Sequence, residues 1–262
     1  MKHTILILSF PLLFILQGCE FTKKAVGNIN LFPVEEDIKL GKQVASEIAS
    51  KPAEFPILPE QGNERVYNYI RNITRKILNS GQVKYKNEFV WQVKIIKDDK
   101  TLNAFATPGG YIYVYTGLIK FLDSEDQLAG VMGHEIAHAD RRHSTKQMTQ
   151  LLGVQILLAA ALGDREAVQQ VATGLIGLKF SRNHEADADE YSVRYLCGTH
   201  YNASGAAGFF QKLSGQASPP EFLSTHPNPG NRVKDIEAKE AEFGCRGTVT
   251  NVSEYAQIKA LL

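Results

Sequence analysis

Five residues, His134-Glu135-Ile136-Ala137-His138, constrain this chain more than any other feature. Histidines at i and i+4 share one face of a helix, a turn apart, so both imidazoles reach a single ion only if the segment is helical. Zinc takes such nitrogens at about 2.0–2.1 Å and, where it does chemistry, keeps a fourth position open beside three protein ligands. Glu135 lies about 100° round the helix, beside the metal face. From there it can take a proton from an attacking water without itself becoming a ligand. Upstream, Ser124-Glu125-Asp126-Gln127 reads as a capping box that starts this helix, with acids in the first turn where the dipole favours them.

Two histidines leave a third ligand to be found. An all-histidine set would need glycine at 141 and histidine at 144, where Arg141 and Ser144 stand. His143 falls roughly 140° off the metal face and reads as a structural or surface histidine. A carboxylate from a second helix is the other solution. Ser181-Arg182-Asn183-His184-Glu185-Ala186-Asp187-Ala188-Asp189 offers Glu185 and Asp189 one turn apart on one face. One can bind the ion while the other accepts the free N–H of a ligating histidine. His184 is adjacent but directed about 100° away.

Around these motifs the chain reads as a single mainly helical α+β domain over 34–240, with a small β-sheet. Val34, Ile38, Val44, Ala45 and Ile48 recur at helical spacing, and Pro52, Pro56 and Pro59 enforce a loop. A second helix is expected from Glu60 to Asn79 with Gly81 closing it. Phe89 to Ile96 alternates as a strand, and Tyr111 to Tyr115 forms another after the turn Pro108-Gly109-Gly110. Everything downstream to Lys239 looks helical, with breaks at Gly163-Asp164 and Ser218-Pro219-Pro220. The apolar runs Leu151–Leu162 and Val168–Leu178 are too short to span a bilayer and suit a hairpin that packs by, or shields, the cleft. A contact of this hairpin with a membrane surface is the second reading. No internal repeat is visible, and residues 241–262 form a tail with no assigned role.

The N-terminus supplies an address. Lys2 and His3 precede an apolar run from Thr4 to Leu16, which suits a signal peptide over 1–18. Leu16-Gln17-Gly18-Cys19 resembles a bacterial lipobox, with Cys19 as the lipidated first residue and 19–33 as a tether. Glu20, where aspartate would resemble an inner-membrane retention signal, then implies the periplasmic face of a Gram-negative outer membrane. Without Lys2 the mature chain carries 28 basic and 28 acidic side chains, so acyl chains rather than charge would hold it there. The same balance argues against nucleic acid as a partner. Cys197 and Cys245 are then the two cysteines left in an oxidising compartment, and they are expected to pair.

Four stretches together resemble the HtpX/CAAX-prenyl-protease type of zinc metallopeptidases, peptidase family M48, and especially its periplasmic lipoprotein members. They are Asn103–Leu118, His134–His138, Ser181-Arg-x-x-Glu185-x-x-Ala-Asp189, and Ser224-Thr-His-Pro227 followed by Arg232. The resemblance implies one zinc per chain held by His134, His138 and Glu185, with Asp189 behind a histidine and Glu135 as general base. It places His226 and Arg232 over the site, where either could steady an oxyanion. In some soluble relatives the matching histidine occupies the open zinc position and holds the enzyme latent. The strand Gly110, Tyr111, Ile112, Tyr113 is expected to edge the cleft and let substrate pair alongside it. The function implied is a zinc endopeptidase acting on unfolded or misfolded envelope proteins. The alternative is a chaperone or assembly scaffold for outer-membrane proteins with little or latent proteolysis.

Overall fold

The computed structural model describes residues 32–214, 221–227 and 231–262. The expectations for Cys19, for 1–18 and most of the tether, and for the break at Pro219-Pro220 lie outside the described residues. Helix α1 spans Val34–Ala49 and α2 spans Glu64–Leu78. The second starts four residues later than its hydrophobic pattern suggests, because Gly62 turns the chain with φ +84° just before it.

Strand β1 is Gln92–Ile96, shorter than the expected Phe89–Ile96. Trp91 stands in the left-handed region at φ 44°, with its indole N–H turned to the Tyr85 and Lys86 carbonyls, and a ladder cannot continue through it. Strand β2, Ala104–Thr107, has no counterpart among the expected elements. It leads through Pro108-Gly109-Gly110, where both glycines have positive φ, into β3, Tyr111–Tyr115. The sheet order is β1-β3-β2, with β1 parallel and β2 antiparallel to β3. β3 is therefore the central strand, and its burial on both faces suits its unbroken apolar and aromatic composition.

The remainder is helical: α3 Thr116–Phe121, α4 Glu125–Asp140, α5 His143–Leu152, α6 Val154–Ala161, α7 Arg165–Ile176, α8 Arg182–Cys197, α9 Gly205–Ser214, α10 Glu221–Thr225, α11 Arg232–Phe243 and α12 Val252–Lys259. The first arm of the expected hairpin is broken at Gly153, φ +83°, into α5 and α6. Among the described residues no helix is long and apolar enough to cross a membrane.

Two hydrophobic clusters flank the sheet. One joins Ile112 and Val114 of β3 to α2, α4, α8, α9 and α12. The other joins Tyr113 of β3 and Ile96 of β1 to α1, α5, α6 and α7. Helix α4 packs tightly on its neighbours through glycines: a Cβ at Gly130 would stand 2.2 Å from the Ala206 backbone of α9, and one at Gly133 2.7 Å from Ser192 of α8. The tail is part of this packing. Cys197 and Cys245 are joined by a disulfide with Cα atoms 4.8 Å apart, and Tyr255 of α12 is buried with its hydroxyl donating to the Ile119 carbonyl.

Candidate metal centre

Helices α4 and α8 lie against each other and carry the centre between them. Ser124 precedes α4 but makes no side-chain cap, so the expected capping box is absent. Its acids serve tertiary structure instead: buried Glu125 accepts from Tyr69, Lys76, Tyr201 and Asn251, fastening α4 to α2 and to the tail. The start of α8 is capped, with Ser181 Oγ accepting from the His184 N–H.

His134, His138, Glu185 and His226 each turn one ligand atom inward, and the four atoms lie within 4.8 Å of one another. The Nε2 atoms of His134 and His138 are 3.0 Å apart, and Glu185 stands 3.4 Å from the first and 3.3 Å from the second. His226 Nδ1 is 3.4 Å from His134 Nε2 and 3.1 Å from Glu185 Oε1. An ion with bonds of about 2.0–2.1 Å in tetrahedral geometry separates its ligand atoms by roughly 3.3 Å. The spacing and the nitrogen-oxygen donor set thus fit a metal ion, held by side chains that are all buried.

The electrostatics agree. Burial opposes ionisation of Glu185, but His226 and the hydrogen bonds from His134 and His138 outweigh it and hold the carboxyl well below its usual range. Burial, helped by the neighbouring His134 and His143 and opposed by Glu185, drives His138 well down, toward the neutral form a ligand requires. For His134 burial pulls the same way, yet Asp189 and Glu185 prevail and raise it to about 9 in the metal-free protein.

Asp189 accepts at 2.9 Å from His134 Nδ1, on the side of the ring away from the cluster. Arg232 clasps Asp189 with two nitrogens and lies 3.2 Å from Glu185. Its Nε and Nη2 are thus engaged by Asp189, while Nη1, beside Glu185, makes no hydrogen bond. Glu135 is buried beside the ligands, with only the Ala106 backbone facing its carboxylate and no side chain hydrogen-bonded to it, and burial raises its pKa. His226 Nε2 is 3.7 Å from Glu135 Oε1.

One expectation needs correction. The strand carrying Gly110, Tyr111, Ile112 and Tyr113 does not edge a cleft, because β3 is paired on both sides and has no backbone groups to offer. The edge next to α4 is β2, whose Ala106 backbone lies against Glu135. Its alanines have low strand propensity, so the pattern concealed it. Of the two readings of His143, structural or surface, the structural one holds: it is buried, with Nδ1 3.1 Å from His138 Nδ1. What brings it there is a reversal at Arg142, whose left-handed φ of 59° no sequence period foretells. His184 stays outside the cluster, stacked on His143 at 4.5 Å.

Comparison with known proteins places this geometry. Residues 64–240 match peptidase family M48. The beta-barrel assembly-enhancing protease of Escherichia coli is 30% identical over 159 residues, covering 54% of this chain and 32% of that protein. The Yersinia pestis protein of that name is 28% identical over 186 residues, 64% of this chain and 37% of its own length. The mitochondrial metalloendopeptidase OMA1 of Schizosaccharomyces pombe is 28% identical over 177 residues, 64% of this chain and 51% of that one. The chain thus spans between a third and a half of the length of these relatives.

Proposed function

The chain belongs to peptidase family M48, and we propose that it is a metalloendopeptidase, that its metal is zinc and that its substrates are unfolded or misfolded proteins of the cell envelope. The observation that carries the reading is the set of near-tetrahedral ligand spacings, with Glu135 beside it and no side chain hydrogen-bonded to its carboxylate. Two or three imidazoles and one carboxylate form a donor set that suits zinc. Bound there, zinc supplies a Lewis acid for a peptide carbonyl and acidifies a neighbouring water.

The chain's own residues do the rest. Glu135, its pKa raised by burial, takes the water's proton and passes it to the leaving amine. Asp189 and Arg232 fix the ring of His134 and the Glu185 carboxylate, so Arg232 serves by orienting ligands. Substrate is aligned by backbone pairing along β2. In the ladder Asn103 accepts from the Tyr115 N–H, so the alternate residues Ala104 and Ala106 point their backbone groups away from β3. Such pairing reads little side-chain information, which favours extended chains of varied sequence.

His226 sits in the donor set as a fourth ligand would. The same segment approaches the start of β2, with Phe222 N–H donating to the Leu102 carbonyl at 3.2 Å. That position supports a latched resting state, in which His226 must leave before substrate enters and is then free to steady the oxyanion. It also favours the second reading, a scaffold for outer-membrane proteins that cleaves rarely. The lipobox at Cys19 and the β-barrel assembly in the relatives' names support an acylated protein on the periplasmic face of the outer membrane. Loss of acyl mass in Cys19→Ser checks that placement.

The deciding experiment compares zinc content and casein digestion in wild type, Glu135→Gln and His226→Ala. The peptidase reading expects about one zinc in each, no digestion by Glu135→Gln and faster digestion by His226→Ala. Digestion by Glu135→Gln at the wild-type rate removes the general base from the mechanism. Zinc in all three with no digestion by any moves the scaffold reading forward.

A further inference from the structure

Each ligating imidazole has a second nitrogen, and what that nitrogen meets fixes the tautomer and the direction of the ring. For His134 the partner is direct: Nδ1 to Asp189 at 2.9 Å, with Asp189 gripped by Arg232. Among the described residues no carboxylate is hydrogen-bonded to His138 Nδ1. That nitrogen has His143, at 3.1 Å.

The contacts continue outward. His143 Nε2 is 3.0 Å from Asp187 Oδ2, and Asp187 receives Arg141 Nε at 2.8 Å and Arg141 Nη2 at 3.3 Å. Arg141 in turn lies over the Tyr191 ring, 4.1 Å from its centroid, and His143 stacks on His184. The two histidines therefore end on matching supports, a carboxylate of α8 clasped by two nitrogens of an arginine. Along α8, Glu185 faces the metal position, Asp189 backs one histidine, and Asp187 stands behind the relay to the other.

We infer that His143, backed by Asp187 and Arg141, is the positioning residue of His138. This rests on the reading of His138 as a metal ligand. Once Nε2 of His138 is given to a metal, its Nδ1 must carry hydrogen and donate. The atom facing it is His143 Nδ1, which accepts only if His143 carries its hydrogen on Nε2. That hydrogen points at Asp187, an acceptor held in place by Arg141. Every group along the row then has one role, and no donor faces a donor.

The arrangement depends on the reversal between α4 and α5. Arg142, in the left-handed region, returns the chain so that His143 comes back over His138. Its guanidinium is anchored on Asp37 and on the Phe32 carbonyl. A residue kept only to hold this turn would be indifferent to which of its atoms accepts from His138, and that difference is measurable.

The test measures the dissociation constant for Zn2+ on the full-length chain by competition with a chromophoric chelator, together with the thermal midpoint of the metal-free protein. Leu at 143 fills the space but accepts nothing, whereas Asn places Oδ1 where the histidine holds Nδ1. His143→Leu is expected to weaken zinc by about 10–100-fold, and His143→Asn to restore it to within about threefold of wild type. The metal-free midpoints should coincide. Equal affinity in His143→Leu and wild type overturns the relay while leaving the metal site standing. Equal losses in Leu and Asn variants, or a loss tracked by the metal-free midpoint, overturn it in favour of a packing role. Should His143→Leu fail to fold, Asp187→Ala decides, since Asp187 is a third exposed and alanine removes the acceptor for the His143 Nε2–H: weakening of about threefold or more supports the relay and wild-type affinity overturns it. If wild type itself binds no zinc, the metal reading and the relay fall together.

Discussion

The two hydrophobic clusters on either side of the sheet are built by different means. The cluster around α4 and α8 is cross-braced: Glu125 ties three elements together, the disulfide Cys197–Cys245 fastens the tail, and Gly130 lets α9 approach at backbone distance. The cluster around α1 and the α5–α7 hairpin is mostly aliphatic packing, fastened to the rest by the buried ion pair of Asp37 and Arg142. It leaves Leu151 and Leu162 exposed. The metal position is set by helices of the braced side, but the wall behind His138 comes from the other, through Phe180 stacked at 4.0 Å and His143 at the start of α5. Rigidity is concentrated where ligand distances must hold to tenths of an ångström, and the looser side supplies cover.

Removing a brace should therefore cost more than any change in the hairpin. The disulfide closes a separation of 48 residues, for which chain entropy predicts about 4 kcal/mol. Cys197→Ala with Cys245→Ala is expected to lose that order of stability in urea titrations. A loss below about 1 kcal/mol would show that α12 is held by its own packing.

Glycine substitutions compare the two sides at equal chemistry. Gly130→Ala puts a methyl against the Ala206 backbone, which cannot yield without moving α9, so a loss of about 1–3 kcal/mol is expected. At Gly177, at the end of α7, a Cβ would meet nothing within 4 Å and φ is −97°. Gly177→Ala should leave stability unchanged or raise it by up to about 1 kcal/mol. Equal effects at the two sites would erase the contrast.

Legibility followed the same divide. The braced side announces itself, because His134 and His138, like Glu185 and Asp189, stand one helical turn apart and the apolar face of α2 is regular. What stayed hidden there depended on tertiary contact: β2, whose Ala-Phe-Ala-Thr acquires strand geometry only by pairing with β3, and Glu125, which is taken up by four partners from three distant segments. The family resemblance puts Tyr111–Tyr115 at the cleft edge, and pairing with β1 on one side and β2 on the other gives that edge to β2 instead. On the other side the apolar runs were visible, but the break at Gly153 and the reversal at Arg142 were not. Both are single backbone angles, and the second decides where His143 goes.

The ion pair on the looser side gives a pH signature. Burial raises Asp37 to about 6 despite Arg142, so between pH 6 and the unfolded value near 3.8 the folded state binds more protons than the unfolded one. Stability contributed by this group is therefore fully present below about 3.8 and is lost as pH rises through that window to about 6. Between pH 7.5 and 5, wild type should gain on the order of 1 kcal/mol relative to Asp37→Asn in paired urea titrations. A difference that stays flat, or runs the other way, would mean that Arg142 outweighs burial and that this fastening is as firm as those of the braced side.

The smallest effect belongs to Leu162, at the turn between α6 and α7 and 79% exposed. Its side chain has given up little water contact in folding, so replacing it by serine removes almost no buried apolar area. Leu162→Ser should change stability by less than about 0.5 kcal/mol, or about 2 °C in thermal midpoint for a domain of this size. The same substitution tests what the exposed leucine is for. An unchanged midpoint with reduced partition onto vesicles would connect the hairpin tip to a lipid surface. An unchanged midpoint with unchanged partition leaves it as one of the isolated apolar side chains that any folded surface carries. A fall of several degrees would instead show that the tip is packed as tightly as the braced cluster, and the contrast between the two sides would have to be redrawn at α7.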